Sequence, residues 1–480
     1  MTRLATLLLA AGASLAACSS SPNCETCAAL GNACVPPGAC TPSSCERSIV
    51  TSALPAAQVQ SLGVHKVGTE LTFAVPSGAG SVTIVQQAKI AGLTIVYKNQ
   101  VIDNSAVPLT VKFPDGGTAY DDNVDAGSPS PDGGSDSSGN YAFYGGGTPN
   151  TGAFTIPNTA ASLDAGVPAG NWKFVVNDYA YECAAVVSGC NDGGSTDSEY
   201  DVSVITRTLP AGNVMDVAFY IVADVTAAGV PLRAANAPND PNVQRMVQTF
   251  TSIMANAGIG VNVRFYDVSD AARARFGTNL NVNSTGPCEE MNQMFTLSSA
   301  NPGNFMNLFL VQGLRATSSG GGTVVGVDGT IPGPSSFNGT VQSGAVVSMV
   351  DLFSSGSSSC PLGGYDLCRF GADIVAFIAA HETGHFLGLF HTTEQEGADF
   401  DPLTDTLKCP CTACASTADR LKCGTYGANA PAIVADRCVS APTCGGGDDL
   451  MFWFLREGVS TGVLTPQQSQ VMRLNPLVHP

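Results

Sequence analysis

Short runs of β-branched and aromatic residues recur through the first part of the chain and are separated by turn-rich stretches. The runs are Glu70–Val75, Ser81–Val85, Leu93–Tyr97, Val107–Phe113, Trp172–Asn177 and Tyr200–Thr206. Runs of this length with Gly and Pro between them are typical of an all-β sandwich. We therefore predict a β-sandwich-like N-terminal domain over residues 47–210.

From about Asn213 the pattern changes to strands that alternate with helices. Strands are predicted at Val217–Val222, Val261–Val268, Asn307–Val311 and Ala345–Val350. A helix between the first two carries one apolar stripe at helical spacing: Val243, Met246, Val247, Phe250, Ile253 and Met254. Asp240 can cap this helix and Gly258 can end it. The pattern predicts an α/β (α+β) domain over residues 213–480, with a mixed twisted sheet and this helix behind it.

A second helix is predicted around Ala372–Leu387. Its residues from Ala372 to Ala379 are almost all apolar, without a polar face. A helix that is apolar all round is buried. We therefore expect this helix to lie in the core of the second domain.

Composition and charge limit the class of function. The 480 residues include 21 Lys and Arg against 39 Asp and Glu, which gives a net charge of −18. A generic nucleic-acid partner is excluded, because neutralising phosphates requires clustered Lys and Arg. The same deficit of positive charge argues against electrostatic adhesion to anionic lipids.

The N-terminus has the pattern of a secretory signal peptide, which we assign to residues 1–17. One Arg, Arg3, precedes an apolar stretch from Leu4 to Ala17. The end of this segment, Leu15-Ala16-Ala17-Cys18, resembles the bacterial lipobox, in which the cysteine is lipid-modified. The resemblance implies an exported protein held in a membrane leaflet through Cys18, at the outer membrane or cell surface of a bacterium. The alternative is an ordinary signal peptide that leaves Cys18 free for a disulfide.

Seventeen cysteines support export. Sixteen remain without Cys18, and in an oxidising compartment most of these are expected to form disulfides. Five lie within Cys24–Cys45, in a Ser- and Pro-rich segment that we interpret as a cross-linked tether over residues 18–46. Six more lie within Cys409–Cys444. The sequence does not determine their pairing.

Residues 381–391, His-Glu-Thr-Gly-His-Phe-Leu-Gly-Leu-Phe-His, hold three of the five histidines. Positions i and i+4 share one face of a helix, so His381 and His385 can present two imidazoles to one metal ion. Gly388 permits a sharp turn that returns His391 to the same ion. Three neutral imidazoles leave one position of a tetrahedral Zn²⁺ open, which is the pattern of a catalytic site. Glu382 is then placed to act on water as general base and acid.

This stretch resembles the zinc motif of the metzincin endopeptidases. From His381 to Thr392 it is similar to the longer motif of the pappalysin family and its bacterial and archaeal relatives. The segment Asp401–Thr406 resembles the Asp-Thr stretch that follows the motif in that family. The resemblance implies a metzincin-type catalytic domain over residues 213–480, with Ala372–Leu387 as its active-site helix. It also implies one catalytic zinc ion and protein or peptide substrates.

The resemblance implies three further assignments. Metzincins carry a methionine in a tight turn beneath the zinc site, and Met451 is the best candidate. Their upper strand runs antiparallel to the bound peptide, and Ala345–Val350 is the expected edge strand. Family members often bind Ca²⁺ after the third histidine, although a solvated acidic loop is an equal alternative here. The candidate calcium ligands are Glu394, Glu396, Asp399, Asp401 and Asp405.

Three functions are compatible with the sequence. The first is an exported, lipid-anchored zinc endopeptidase, which the complete motif with Glu382 and Gly388 favours. The second is a surface binding or adhesion lipoprotein with an inactive or latent metzincin domain. The third is a zinc hydrolase that acts on another substrate, such as a cell-wall peptide. The sequence leaves three roles open for the N-terminal β region: a pro-segment, a substrate-binding module or a spacer.

Overall fold

The computed structural model describes residues 50–88, 94–97, 100–103, 105–121, 142, 148–149, 151–178, 199–227, 229–282, 290–316, 324–354, 370–425, 431–439 and 443–480. The predicted signal peptide, Cys18 and the tether of residues 18–46 lie outside the described residues. Below, the N-terminal β unit means the described residues from 50 to 208, and the C-terminal unit means those from 213 to 480.

The strands follow in chain order. They are β1 Val50–Thr51, β2 Ala57–Lys66, β3 Glu70–Val75, β4 Ala79–Ala88, β5 Thr94–Tyr97, β6 Gln100–Asp103, β7 Ser105–Lys112, β8 Thr118–Asp121, β9 Thr148–Pro149, β10 Thr151–Ile156, β11 Gly170–Asp178, β12 Glu199–Thr208, β13 Val214–Ile221, β14 Thr226–Ala227, β15 Val230–Pro231, β16 Gly260–Asp267, β17 Leu280–Asn281, β18 Met306–Val311, β19 Leu314–Arg315, β20 Gly326–Asp328, β21 Phe337–Asn338 and β22 Ala345–Ser348.

The α-helices are α1 Ala160–Ala165, α2 Pro241–Asn256, α3 Asp270–Phe276, α4 Glu290–Phe295, α5 Gly371–Phe386, α6 Cys411–Cys414 and α7 Pro466–Leu474. Short 3₁₀ helices lie at Ala237–Asn239, Thr296–Ala300, Asp419–Lys422 and Ala435–Arg437. In the described part of the chain, every helix is too short or too polar to cross a bilayer.

Two antiparallel sheets share one apolar core in the N-terminal β unit. One sheet has the strand order β10-β4-β12-β2, and the other has the order β3-β11-β7-β8, with β9 against β7. Tyr120 of the second sheet packs against Phe154 of the first, with ring centroids 4.8 Å apart. Five of the six predicted strand runs lie in these sheets. The sixth, Leu93–Tyr97, corresponds to β5, which forms a separate hairpin with β6. Strands β2 and β10 were not predicted. The assignment of the region to the sandwich class stays a prediction.

The C-terminal unit contains a mixed sheet with the strand order β16-β13-β18-β22-β20. The first four strands are parallel, and β20 is antiparallel to β22. The prediction that Ala345–Val350 is the edge strand is therefore wrong. Its β22 portion, Ala-Val-Val-Ser, is buried throughout and lies inside the sheet, as is usual for a strand covered on both faces. The outer position belongs to β20, Gly326–Asp328.

The predicted backing helix is confirmed as α2. Asp240 caps it, because its Oδ1 accepts hydrogen bonds from the backbone N–H groups of Asn242 (2.9 Å) and Val243 (3.1 Å). The apolar stripe faces the sheet, where Phe250 meets Phe219 edge to face with ring centroids 5.8 Å apart. The stripe therefore fixes which face of α2 is buried.

Helix α5 is buried along its whole length and packs against both α2 and the sheet. Asp373, in its first turn, is a fully buried carboxylate. It accepts hydrogen bonds from Arg245 Nε (2.9 Å) and Nη2 (2.8 Å) and from Thr249 Oγ1 (2.5 Å), both on α2. This paired charge fixes the position of α5 relative to α2.

We predict that Asp373→Ala lowers the free energy of unfolding by about 2–3 kcal/mol. Breaking a buried ion pair typically costs about 3–5 kcal/mol, and the loss is reduced here because the Arg245 side chain is 37% exposed and can turn to water. Urea unfolding measures the change. The control is Glu70→Ala, which removes the exposed Lys173–Glu70 pair and should leave stability unchanged. Equal losses in the two variants would contradict the role of Asp373.

Candidate metal centre

Three imidazole rings converge at the C-terminal end of α5. The Nε2 atom of His391 lies 3.2 Å from Nε2 of His381 and 3.1 Å from Nε2 of His385. All three side chains are buried. A tetrahedral Zn²⁺ with Zn–N bonds of about 2.0–2.1 Å holds its nitrogen ligands about 3.3–3.4 Å apart. The spacing of the three Nε2 atoms therefore fits a zinc ion.

Each ring is held at its other nitrogen by an acceptor oxygen. The three Nδ1 contacts are His381 to the Leu450 carbonyl (2.6 Å), His385 to the Leu389 carbonyl (2.7 Å) and His391 to Glu394 Oε2 (3.0 Å). Carbonyl and carboxylate oxygens accept hydrogen bonds, so Nδ1 carries the proton in each neutral ring. The lone pair is then on Nε2, which is the tautomer that a metal ligand requires.

The electrostatic environment keeps two of the rings neutral. Burial, together with the neighbouring His391, lowers the pKa of His381 to about 3. Burial and the two other imidazoles also lower the pKa of His385 well below its usual value. Neutral imidazole is the form that binds zinc, so protons do not compete for these two ligands near neutral pH.

The chain reverses direction after α5 at Gly388. Its φ is +108°, which favours glycine, and its N–H donates to the His385 carbonyl at 2.8 Å. The reversal brings His391 back to the two helical histidines. This residue lies six positions after His385, so helical spacing alone does not place it there.

Met451 lies in a buried turn against α5. Gly384 provides the space, because a Cβ atom at that position would lie 2.5 Å from the Met451 Sδ atom. The turn is held on both sides: the Met451 N–H donates to Asp449 Oδ1 (2.7 Å), and its carbonyl accepts from the Thr392 N–H (3.0 Å). The preceding residue, Leu450, supplies the acceptor for His381.

The carboxylate of Glu382 lies beside β20. A side chain at Gly326 would overlap Glu382 Oε1, and this oxygen is buried with no hydrogen-bond partner among the described residues. Burial raises the pKa of Glu382 well above its usual value. Asp328, two residues along β20, is a second buried carboxylate, and burial and Glu382 raise its pKa in turn.

Sequence reasoning did not single out Gly326 or Asp328. Both lie on a three-residue strand, which is too short for a clear alternation of apolar and polar residues. A Gly-rich stretch precedes it in the sequence. The sequence indicates Gly326 only indirectly, because a glycine is needed wherever another group approaches the backbone closely.

The cysteine-rich segment between His391 and Met451 is cross-linked by three disulfides. They are Cys409–Cys438, Cys411–Cys423 and Cys414–Cys444. These cysteines form one apolar cluster with Phe452, Trp453 and Phe454, which follow Met451 directly. The Trp453 Nε1–H also donates to the Ile433 carbonyl at 2.7 Å. The cluster therefore fixes the chain on both sides of the Met451 turn.

The structure does not bring the predicted calcium ligands together. Asp401 accepts from the Lys408 ammonium and from Thr406 Oγ1, and Asp405 Oδ2 accepts from the Gln467 N–H at 2.9 Å. The Asp399 carbonyl accepts from the Glu394 N–H. Among the described residues, no three carboxylates gather around one point. The Lys408 amine lies beside Asp401, and Glu394 contacts His391 instead.

Comparison with known proteins gives only low similarity. No protein-family model matches the chain, and no curated protein matches it. The solved structure of mirolysin in complex with compound 9 is 15% identical, covers 55% of this chain and 91% of that chain, and has a TM-score of 0.30. Archaemetzincin from Methanopyrus kandleri is 18% identical, covers 41% and 86%, and has a TM-score of 0.25. Likenesses at these scores do not establish a shared family.

We predict that Glu394→Ala weakens zinc binding about 10–100-fold, the usual effect of removing the partner that orients a histidine ligand. Glu394 is the acceptor for His391 Nδ1, so its loss frees that ring to rotate. Competition with a chromophoric chelator measures the affinity. Glu396→Ala, two residues away, is the matched control and should bind zinc as the parent protein does. Equal zinc affinities in the two variants would show that Glu394 does not support the metal centre.

Proposed function

We propose that the protein is a zinc-dependent endopeptidase that hydrolyses peptide bonds in proteins or peptides. One observation carries the proposal: the buried Nε2 atoms of His381 and His385 both lie within 3.2 Å of Nε2 of His391, and a buried carboxylate with an unpaired oxygen follows His381 in the sequence. A structural zinc site usually fills all four positions with protein ligands. Here the site consists of three histidine ligands and one acidic side chain, an arrangement that suits catalysis.

His381, His385 and His391 would hold the ion. When bound, Zn²⁺ supplies Lewis acidity that polarises the scissile carbonyl and makes water more acidic. Glu382 is the general base, because its unpaired Oε1 can accept the proton that water loses. The same carboxyl group then acts as general acid and donates that proton to the leaving amine.

Strand β20 is the proposed binding edge for the substrate. It pairs with β22 on one side, and no other strand in the described part of the chain pairs with it. An extended peptide can add to such an edge through backbone hydrogen bonds. Gly326 of β20 contacts Glu382, so a peptide bound along this edge would pass beside the proposed base. This assignment replaces the predicted edge at Ala345–Val350.

We further propose that the C-terminal unit is a catalytic domain of the metzincin type and most similar to the pappalysin family. The motif from His381 to Thr392 supports this assignment. The turn at Gly388 and the position of Met451 against Gly384 also support it. The alternative of a binding or adhesion protein with an inactive domain has no observation in its favour, because the ligands and Glu382 are all present.

Export and a lipid anchor on Cys18 are also part of the proposal. The three disulfides near the metal centre support export, because such bonds persist in oxidising compartments. The lipobox-like sequence before Cys18 supports the anchor. We therefore place the protein at the outer membrane or cell surface of a bacterium.

We predict that Glu382→Gln lowers peptide cleavage by at least about 10²–10⁴-fold, the usual contribution of a general base. Zinc stoichiometry should stay at one ion per chain, since Glu382 is not a ligand. The assay incubates the zinc-loaded soluble protein with a library of unstructured peptides and identifies cleavage sites by mass spectrometry. Glu199→Gln, on β12, is the control and should cleave normally. Absence of cleavage by the zinc-loaded parent protein, or full activity of Glu382→Gln, would contradict the proposed function.

We predict that Cys18→Ala moves the protein from the membrane fraction to the soluble fraction of the exporting cell. The substitution removes the only atom to which the proposed lipid attaches. Metabolic labelling with a radioactive fatty acid, followed by cell fractionation, measures both effects. Cys24→Ala is the control and should remain labelled and membrane-bound. Labelling that persists in Cys18→Ala would show that the anchor lies elsewhere.

A further inference from the structure

Three strands of the β10-β4-β12-β2 sheet of the N-terminal β unit, β10, β4 and β12, are extensively buried on both faces. Every residue of β4 and β10 is buried. Side chains alternate between the faces of a strand, and Val82 and Ile84 belong to the core between the two N-terminal sheets. Val85, which points to the other face, joins a separate apolar cluster with Ala153 and Ile205. This face also carries polar residues, among them Thr83, Gln87 and Thr155, and all three are buried. Polar side chains on a solvated sheet face would be exposed, so another part of the molecule covers this face.

The first contact that covers it comes from the segment between β20 and β22. Phe337 of the C-terminal unit inserts into the cluster of Val85 and Ile205 and is 8% exposed. The strand to which Phe337 belongs, β21, pairs with β1 from the start of the N-terminal β unit. The Ser52 N–H also donates to the Ser336 carbonyl at 2.9 Å. Side-chain packing and backbone pairing thus join the two units at one place.

The second contact is polar and lies at the end of α7. Ser81 Oγ donates to the Leu474 carbonyl at 2.6 Å. Arg207 is fully buried, and its guanidinium donates to the Val478 carbonyl and, at 3.2 Å, to the Pro210 carbonyl. Burying a charged group is costly unless it is hydrogen-bonded. The Val478 carbonyl of the C-terminal unit therefore stabilises the buried Arg207 side chain.

The third contact reaches the turn that carries the third histidine. Helix α1, which Thr159 caps, places Leu163 in the same apolar core as Leu387 and Leu389. Asn158, just before this helix, lines a small cavity together with Gly388, Leu389 and Phe390. The Ala160 N–H points to the Pro402 carbonyl at 3.4 Å. The N-terminal β unit thus packs beside the residues that connect α5 to His391.

We propose that the N-terminal β unit is a permanent half of the catalytic fold and holds the zinc-binding turn in place through α1. The sequence alone left a pro-segment, a binding module and a spacer open. Departure of the unit after cleavage would expose Phe337 and the core around Leu163, and it would remove the partner of β21. A detachable pro-segment is therefore the role that these three contacts exclude. The proposal rests on the proposed function only in calling residues 387–391 a zinc-binding turn.

The first test cuts the full-length soluble protein between the two units. A specific-protease site is inserted after Pro210, which is exposed and follows the exposed Leu209. After cleavage, the two fragments should co-elute on gel filtration in native buffer and should retain one zinc ion per pair. Separation of the fragments, with zinc retained by the C-terminal one, would overturn the proposal. A non-reducing denaturing gel establishes whether a disulfide also joins the two fragments. If a disulfide joins them, the N-terminal β unit stays covalently attached after the cut, and the variants described next test the packing of α1.

The second test asks whether α1 supports the metal centre. Leu163→Ala in the full-length protein should weaken zinc binding about tenfold, the lower end of the effect of disturbing a ligand's surroundings. Val176→Ala is the control, because Val176 is at least as buried (0% exposed against 9% for Leu163) but lies in the core between the N-terminal sheets. Its zinc affinity should equal that of the parent protein. Unchanged affinity in Leu163→Ala, or an equal loss in both variants, would overturn the role of α1.

The two tests separate this proposal from the proposed function. Neither co-elution nor relative zinc affinity depends on peptide cleavage, so a protein without peptidase activity can still satisfy both. A parent protein that binds no zinc would contradict the proposed function, while co-elution would still decide whether the N-terminal β unit is permanent.

Discussion

The metal centre depends on satisfying both nitrogens of three buried imidazole rings. A buried polar atom without a partner is costly, so each Nδ1 must meet an acceptor before the Nε2 atoms can converge. The acceptors come from three separate places: Leu389 after the Gly388 turn, Glu394 beyond the third histidine, and Leu450 of the Met451 turn. The first two acceptors lie within four residues of the histidines that they hold, whereas Leu450 lies 69 positions after His381. The orientation of the His381 ring therefore depends on the tertiary fold.

The Leu450 acceptor links the metal centre to the rest of the molecule. Asp449 accepts from the Met451 N–H and, at 3.1 Å, from Gln468 Nε2 on α7. The end of α7 is in turn where Ser81 and Arg207 of the N-terminal β unit make their hydrogen bonds. A continuous series of hydrogen bonds and packed elements therefore runs from His381 to the first sheet. It gives a physical reason for the two units to act as one fold.

The metal ligands could be predicted from the sequence because their geometry is largely local. His381 and His385 are one helical turn apart, and Gly388 marks the reversal that returns His391. The backing helix was also predictable, since Asp240 caps it and its apolar stripe has helical spacing. In each case the information lies within about a dozen neighbouring residues.

The parts that the sequence did not reveal depend on long-range contacts. A buried run such as Ala345–Val350 is apolar whether it lies inside a sheet or at its edge, so its position could not be read from its residues. The edge strand β20 is only three residues long, and its Gly326 is explained by Glu382, which follows more than fifty positions later. Glu394 appeared to be one of several loop acids, and its contact with His391 follows only from the turn. Burial of both faces of β4 likewise requires knowledge of the second unit.

The most direct test of this account is X-ray absorption spectroscopy at the zinc edge of the purified, zinc-loaded protein. The account predicts only nitrogen and oxygen scatterers at about 2.0–2.1 Å, together with outer-shell scattering from three imidazole rings. Sulfur scatterers at about 2.3 Å would place the metal on cysteines and contradict the account. A spectrum with fewer than three imidazoles would show that His381, His385 and His391 do not share one ion.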